Sequence, residues 1–227
     1  MREIVFDTET TGVDPKSGDR MVEIGCIELV NRVPTGRTFH AYFNPDCAMP
    51  LEAERIHGLT DAFLADKKRF HEHALELIDF LGDCPLVAHN AQFDFGFLNF
   101  EFSFCGHPEV DHGRMIDTLA LARRRHPGAK HSLDALCSRY GIDRSHRVLH
   151  GALLDAELLA QVYVELTGGR QIGLALAATP MSVTVDTPVH RPRTRTFRPP
   201  RPHAPSAAEL ARHKAFVEAL DSPLWMQ

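Results

Sequence analysis

Apolar side chains come first as a short run, Ile4-Val5-Phe6, which predicts a buried strand over Arg2–Thr8. Met21–Val30 and Arg37–Phe43 predict two more strands, separated by a polar turn around Asn31–Gly36. Connections this short predict an antiparallel meander. The pattern then turns helical. Leu51–Ile56 reads as a short helix stopped by Gly58, and Ala74, Leu77, Ile78 and Leu81 stripe a helix over Glu72–Leu81. Pro85–Asn90 reads as a buried strand. After it, Phe93, Phe97, Phe100 and Phe104 recur at three- and four-residue steps, which predicts a helix over Ala91–Phe104 with those rings on its core face. Met115-Ile116 is a brief strand, with Asp117 or Thr118 able to cap the helix after it, and Ser132 can cap another helix running to Tyr140. Leu153, Leu154, Leu158, Val162 and Leu166 stripe a last long helix. Strands first, then strands alternating with helices, predict an α/β protein with a mixed central sheet flanked by helices.

The pattern breaks at Pro180. Residues 180–206 hold seven of the 15 prolines, and five arginines against the single acid Asp186. This composition predicts a disordered linker. Helical character returns from Ala207, and the chain ends Pro223-Leu224-Trp225-Met226-Gln227 with its single tryptophan. The expected organisation is a domain over 1–179, a linker over 180–206 and a short helical tail over 207–227. Apolar residues beyond a linker need a partner to bury them.

Charge and cysteines narrow the setting. A formal net charge of −5 over 227 residues argues against a protein that coats nucleic acid through bulk charge. It leaves room for a local site where metal ions offset phosphate. Five scattered cysteines without C-x-x-C pairs argue against a disulfide framework or a zinc site. With a first strand at the N-terminus and no apolar run of membrane length, a cytoplasmic protein is expected.

The candidate chemistry starts on the first strand. Asp and Glu are poor strand formers, yet Asp7 and Glu9 stand two apart and so face the same way. Two carboxylates on one buried face repel unless a cation lies between them, and hard oxygen ligands suit Mg²⁺ or Mn²⁺. Asp94 stands near the start of the Phe-rich helix and Asp155 opens the last one. His150, before Gly151, falls on the loop leading into that helix. Taken singly, the two aspartates read as first-turn charges favoured by the helix dipole and His150 as a surface residue.

Together these residues resemble a known family. Asp7-Thr8-Glu9-Thr10-Thr11-Gly12, His89-Asn90-Ala91-x-Phe93-Asp94 and His150-x-Ala152-x-x-Asp155 match the three motifs of the DEDDh 3′–5′ exonucleases in order and spacing. Ile56–Leu59, Asp117–Ala120 and Ser132–Cys137 also resemble that family, so the likeness spans about residues 1–167. It implies an RNase H-like fold and a two-metal phosphodiesterase, with Mg or Mn held by Asp7, Glu9, Asp94 and Asp155 and His150 as general base. Thr8, His57, His89 and Asn90 become candidate contacts to the terminal nucleotide, with a structural role bracing the site as the alternative for His57, His89 and Asn90. The substrate implied is a single-stranded or frayed 3′ end of DNA, as in the members that proofread for replicative polymerases. In those, Gln171, Leu174 and Leu176 would match a weak sliding-clamp contact, and Leu224 and Trp225 a contact to the polymerase catalytic (alpha) subunit. The alternatives are an exoribonuclease of the same family, which needs no tether, and a non-catalytic polymerase–clamp adaptor, which needs no such set of five residues.

Overall fold

The computed structural model describes residues 1–147, 149–169 and 204–219. The chain divides into two units, Met1–Leu176 and Ala177–Gln227. The first is built on a five-stranded sheet of β1 (Arg2–Thr10), β2 (Met21–Val30), β3 (Val33–Tyr42), β4 (Leu86–Ala88) and β5 (Met115–Asp117), in the order β3-β2-β1-β4-β5. β1, β2 and β3 form the expected antiparallel meander, and β4 and β5 join β1 in parallel. The β2–β3 hairpin is tighter than its sequence predicts. Asn31 and Arg32 both take positive φ (52° and 65°), so β3 begins at Val33 rather than Arg37. Two consecutive left-handed residues make the turn whose twist matches a hairpin, and Asn accepts that conformation readily.

Helices cover both faces. α1 (Leu51–His57), α2 (Asp61–Leu64) and α3 (Phe70–Leu81) follow the meander, and α4 (Ala91–Phe104) follows β4. One face of the sheet packs Ile4, Phe6, Ile24, Leu86 and Ala88 against Leu77 and Leu81 of α3 and Phe95, Leu98 and Phe102 of α4. α5 (Thr118–Arg125), α6 (Leu133–Tyr140) and α7 (Ala152–Leu166) complete the unit. α7 lies on the other face, where Ala156, Leu159, Ala160 and Tyr163 meet Val5, Ile27, Leu29 and Val87. Alternation along β1 therefore sends Ile4, Phe6 and Thr8 toward α4, and Val5, Asp7 and Glu9 toward α7.

The expected caps are present. Asp117 accepts from Leu119 N and Ala120 N at the start of α5, and Ser132 accepts from Ala135 N at the start of α6. α2, with Thr60 as its cap, had no periodic signal because it is a single turn. The aromatic stripe of α4 is corrected. Its buried face runs through Ala91, Phe95, Leu98 and Phe102, with Phe97 beside it, while Phe104 is 69% exposed under the Arg20 guanidinium. With seven aromatic or large apolar side chains in 14 residues, several stripes fit the sequence, and the sheet selects one.

The second unit contains α8 (Ala207–Glu218), begun by a reciprocal cap in which Glu209 N donates to Ser206 Oγ and Ser206 N donates to Glu209 Oε2. The expected clamp-contact residues Gln171, Leu174 and Leu176, the polymerase-contact residues Leu224 and Trp225 and most of the expected linker lie outside the described residues. Among the described residues, no helix is long and apolar enough to cross a membrane.

Candidate active site

The end of β1 is wedged between the N-terminal turns of α4 and α7. β1 brings Asp7 and Glu9, α4 brings Asp94 and α7 brings Asp155, and all four line one cavity of about 710 Å³. The approach of α7 depends on Gly25, which pairs with Asp7 across β1–β2. A Cβ at Gly25 would come within 2.3 Å of Leu153 Cα and N. Only a residue without a side chain lets the start of α7, and with it Asp155, come this close to the sheet.

The carboxylates are crowded, and Asp7, Glu9 and Asp94, unlike Asp155, have no ion-pair partner among the described residues. Burial, then the charges of Asp94, Glu9 and Asp155, hold the Asp7 carboxyl well above its ordinary range. Burial pushes Glu9 up to about 8, with Glu23, Asp155 and Asp94 adding to it. Glu23 stands directly across the β1–β2 ladder from Glu9, a like-charge pairing that costs stability. Burial also pushes Asp94 up to about 7, against the hydrogen bond that Thr8 Oγ1 donates to its Oδ1 at 2.8 Å.

Buried acids elsewhere in the domain have partners, Glu3 only in part: Tyr163 Oη donates to its Oε1 at 2.7 Å and its Oε2 has none among the described residues. Glu101 receives Arg20 through Nε (2.8 Å) and Nη2 (2.7 Å), and Glu23 holds His40 Nε2 at 2.7 Å. Glu9 instead leaves Oε1 buried with no hydrogen-bond partner among the described residues. An orphaned carboxylate oxygen among three other acids is the condition a hard divalent cation relieves. An oxygen of Glu9, an oxygen of Asp155 and a ring nitrogen of His150 also lie within 4.8 Å of one another. The residues present fit a divalent metal.

His150 sits on the loop before α7, half-exposed, with Nδ1 3.4 Å from Asp155 Oδ2. Its backbone N–H donates to Ile56 O at 3.1 Å, fastening the loop to the end of α1. The remaining expected contacts divide. His89 and Asn90 line the cavity: His89 Nδ1 meets Thr118 Oγ1 at 2.9 Å, and burial lowers its pKa. Asn90 takes a left-handed conformation (φ 63°) before α4, and its N–H donates to Asp117 Oδ1 at 3.0 Å. Thr8 also lines the cavity, but its hydroxyl is given to Asp94. His57 is buried outside the cavity lining, accepts from Leu59 N at 3.0 Å and has its pKa lowered by burial.

Sequence reasoning missed Arg147, Asp134, Arg123 and His131. Arg123, His131 and Arg147 line the cavity. Arg147 joins Asp155 through Nε and Nη2, and Asp134 through Nη1 at 2.9 Å. Asp134 stands in the Ser132–Cys137 stretch but carries no role there, and no motif marks Arg147, whose place depends on how the loop after α6 folds back.

Comparison with known proteins places the chain in a family. A family model described as an exonuclease matches residues 4–163. The chain is 47% identical over 223 residues to the DNA polymerase III subunit epsilon of Rickettsia felis, covering 97% of each protein. It is 48% identical over 183 residues to the DNA polymerase III subunit epsilon of Escherichia coli strain K12, covering 78% of this chain and 75% of that protein. Among solved structures, exonuclease X in complex with 5′ overhanging duplex DNA is 28% identical with a TM-score of 0.58, covering 73% of this chain and 90% of that one. A 3′-exonuclease that recognises a histone mRNA stem-loop shares the fold at 17% identity and a TM-score of 0.62, covering 73% of this chain and 63% of that one. The chain belongs to the exonuclease family, among the DEDDh 3′–5′ exonucleases that include the epsilon subunits of DNA polymerase III.

Proposed function

We propose that this chain removes mispaired 3′-terminal nucleotides from DNA as the proofreading subunit of a replicative polymerase. The observation that carries the reading is the meeting of Asp7, Glu9, Asp94, Asp155 and His150 at one cavity, from three separate elements and a loop. Asp7, Glu9 and Asp155 would hold one divalent cation and Asp7 and Asp94 a second, with Mg or Mn the ions suited to an all-carboxylate set. Bound there, the cations would supply charge stabilisation for the attacking and leaving oxygens of phosphodiester hydrolysis. His150 would take the proton of the attacking water at Nδ1, the ring nitrogen near Asp155. Thr8 holds Asp94 in place, and the Asp117 carboxylate fixes the backbone of Asn90 at the cavity rim. His89 and Asn90 would bear on the terminal nucleotide.

DNA as substrate is supported by the epsilon relatives and by the duplex DNA bound to exonuclease X. By the same kinship, residues 207–227 would bind the polymerase catalytic subunit, and Gln171, Leu174 and Leu176 would add a weak hold on the sliding clamp. The test is release of the 3′ nucleotide from matched DNA and RNA oligonucleotides with Mg²⁺. A mispaired DNA terminus should be removed faster than a paired one. Preference for RNA, or indifference to the mispair, would overturn the reading.

A further inference from the structure

The strongest ionic contact in the cavity is made by a residue the mechanism above does not use. Arg147, its side chain 9% exposed, joins both oxygens of Asp155, whose side chain is 3% exposed. Its Nη2 donates to Asp155 Oδ2 at 2.7 Å and also lies 3.0 Å from His150 Nδ1. Its Nη1 reaches outward to Asp134 Oδ1 at 2.9 Å, on α6, where Arg144 also pairs. One planar guanidinium thus occupies a carboxylate of the candidate metal set and the ring nitrogen of the candidate base together. Arginine suits this place because its fork matches a carboxylate bidentately and it cannot lose its charge.

We propose that Arg147 is the resident counter-cation of this site, holding Asp155 and His150 in a closed resting arrangement until a divalent cation displaces it toward Asp134. The inference rests on reading the carboxylates as a metal site. Its physical basis is exclusion. A dication on Asp155 would stand within a few ångströms of the guanidinium, in a region where like charges are weakly screened. Metal and Arg147 therefore compete for Asp155, and metal entry frees His150 Nδ1 to accept a proton. Asp134, about half-exposed, is the second anchor that makes the displacement cheap. Arg147 is accordingly a positioning residue, acting through Asp155 and His150.

The competition has a sign that a purely structural role does not share. Mn²⁺ binding to the full-length chain, without DNA, is measured by calorimetry. If Arg147 leaves Asp155 free about a tenth of the time, Arg147→Gln tightens binding by about tenfold. Arg147→Lys keeps the charge and should restore affinity toward wild type. Asp134→Asn removes the outer anchor, concentrates Arg147 on Asp155 and should weaken binding. Tightening in Arg147→Gln with weakening in Asp134→Asn supports the proposal. Unchanged or weaker binding in Arg147→Gln, or shifts of the same sign in both variants, overturns it. Should Arg147→Gln fail to fold, Asp134→Asn alone decides, since unchanged or tighter binding there also overturns the proposal. A wild-type chain that binds no Mn²⁺ would instead remove the metal reading itself.

Discussion

At the level of single residues, the site is a place where folding accepts unfavourable electrostatics. The folded chain holds a proton on Glu9 up to about pH 8 and on Asp94 up to about 7, whereas the unfolded chain releases both near 4. Between those values the folded state binds more protons, so stability from these groups is present at low pH and lost as pH rises. Lowered pKa values at His57 and His89 act oppositely, but only below about 6.5. The interval from pH 7 to 8.5 therefore excludes the histidines; Cys26, Cys47, Cys105 and Cys137, raised by burial, add a fall of the same sign toward its upper end, so the carboxylate share is read as the difference that Glu9→Gln makes. In chelator, the melting temperature should fall across that interval, and Glu9→Gln should flatten the fall. Because the ligands bind metal deprotonated, added Mg²⁺ or Mn²⁺ should raise the melting temperature more at pH 8.5 than at 7. A metal-induced rise that is independent of pH would contradict the site. His150→Ala should slow hydrolysis by about 10²–10⁴-fold, the range of a lost general base, while Mn²⁺ affinity survives. Affinity that collapses in this variant would make His150 a ligand, as its place near Glu9 and Asp155 permits. That Asp7, Glu9, Asp94, His150 and Asp155 are candidates for one site was legible because each sits in a short linear motif. Arg147 was not, since nothing in Arg147-Val148-Leu149-His150 says which way a loop arginine turns.

At the level of elements, the site exists because three backbones converge on the end of β1. The sequence periodicity located nearly every element, and the limits of α4 follow it residue for residue. It could not choose the buried face of α4, where Phe95 and Phe102 compete with Phe93 and Phe104, because that choice is made by the sheet opposite. Nor could it show the role of Gly25, which looks like a defect in a strand until α7 is laid over it. Gly25→Ala should cost about 1–3 kcal/mol through overpacking, because the neighbour it meets is backbone and cannot rotate away. The push falls on Ala152 and Leu153, next to Asp155, so nuclease activity should drop further than the loss of folded protein explains. Urea melts paired with activity per folded molecule measure both. A wild-type melt would show that α7 can shift without cost and that the glycine is incidental.

At the level of the whole molecule, the composition changes after the catalytic unit in a way that predicts division of labour. Residues 180–206 carry seven prolines and five arginines against one acid, a spacer composition. Beyond them α8 has a well-formed cap but leaves Leu210 and Phe216 exposed, at 53% and 62%. A 12-residue helix is marginal in water, so a partner that buries those side chains would supply much of its stability. The match to the Rickettsia felis protein, covering 97% of this chain, takes in part of this tail, whereas the Escherichia coli match covers 78%. Deleting Ala207–Gln227 should therefore leave hydrolysis of free oligonucleotides unchanged, since the described residues that line the cavity all come from the first unit. The same deletion should abolish stable association with the polymerase catalytic subunit. Proofreading by the assembled pair would then fall to the rate of the two proteins meeting in solution, because a tether acts by raising effective concentration. Co-elution of full-length and truncated chain with the polymerase subunit measures the first effect, and mispair removal at nanomolar protein measures the second. Equal co-elution would assign the main contact to the catalytic unit. Loss of activity on free oligonucleotides would mean that the tail serves the site directly, and in either case the tether would have to be abandoned.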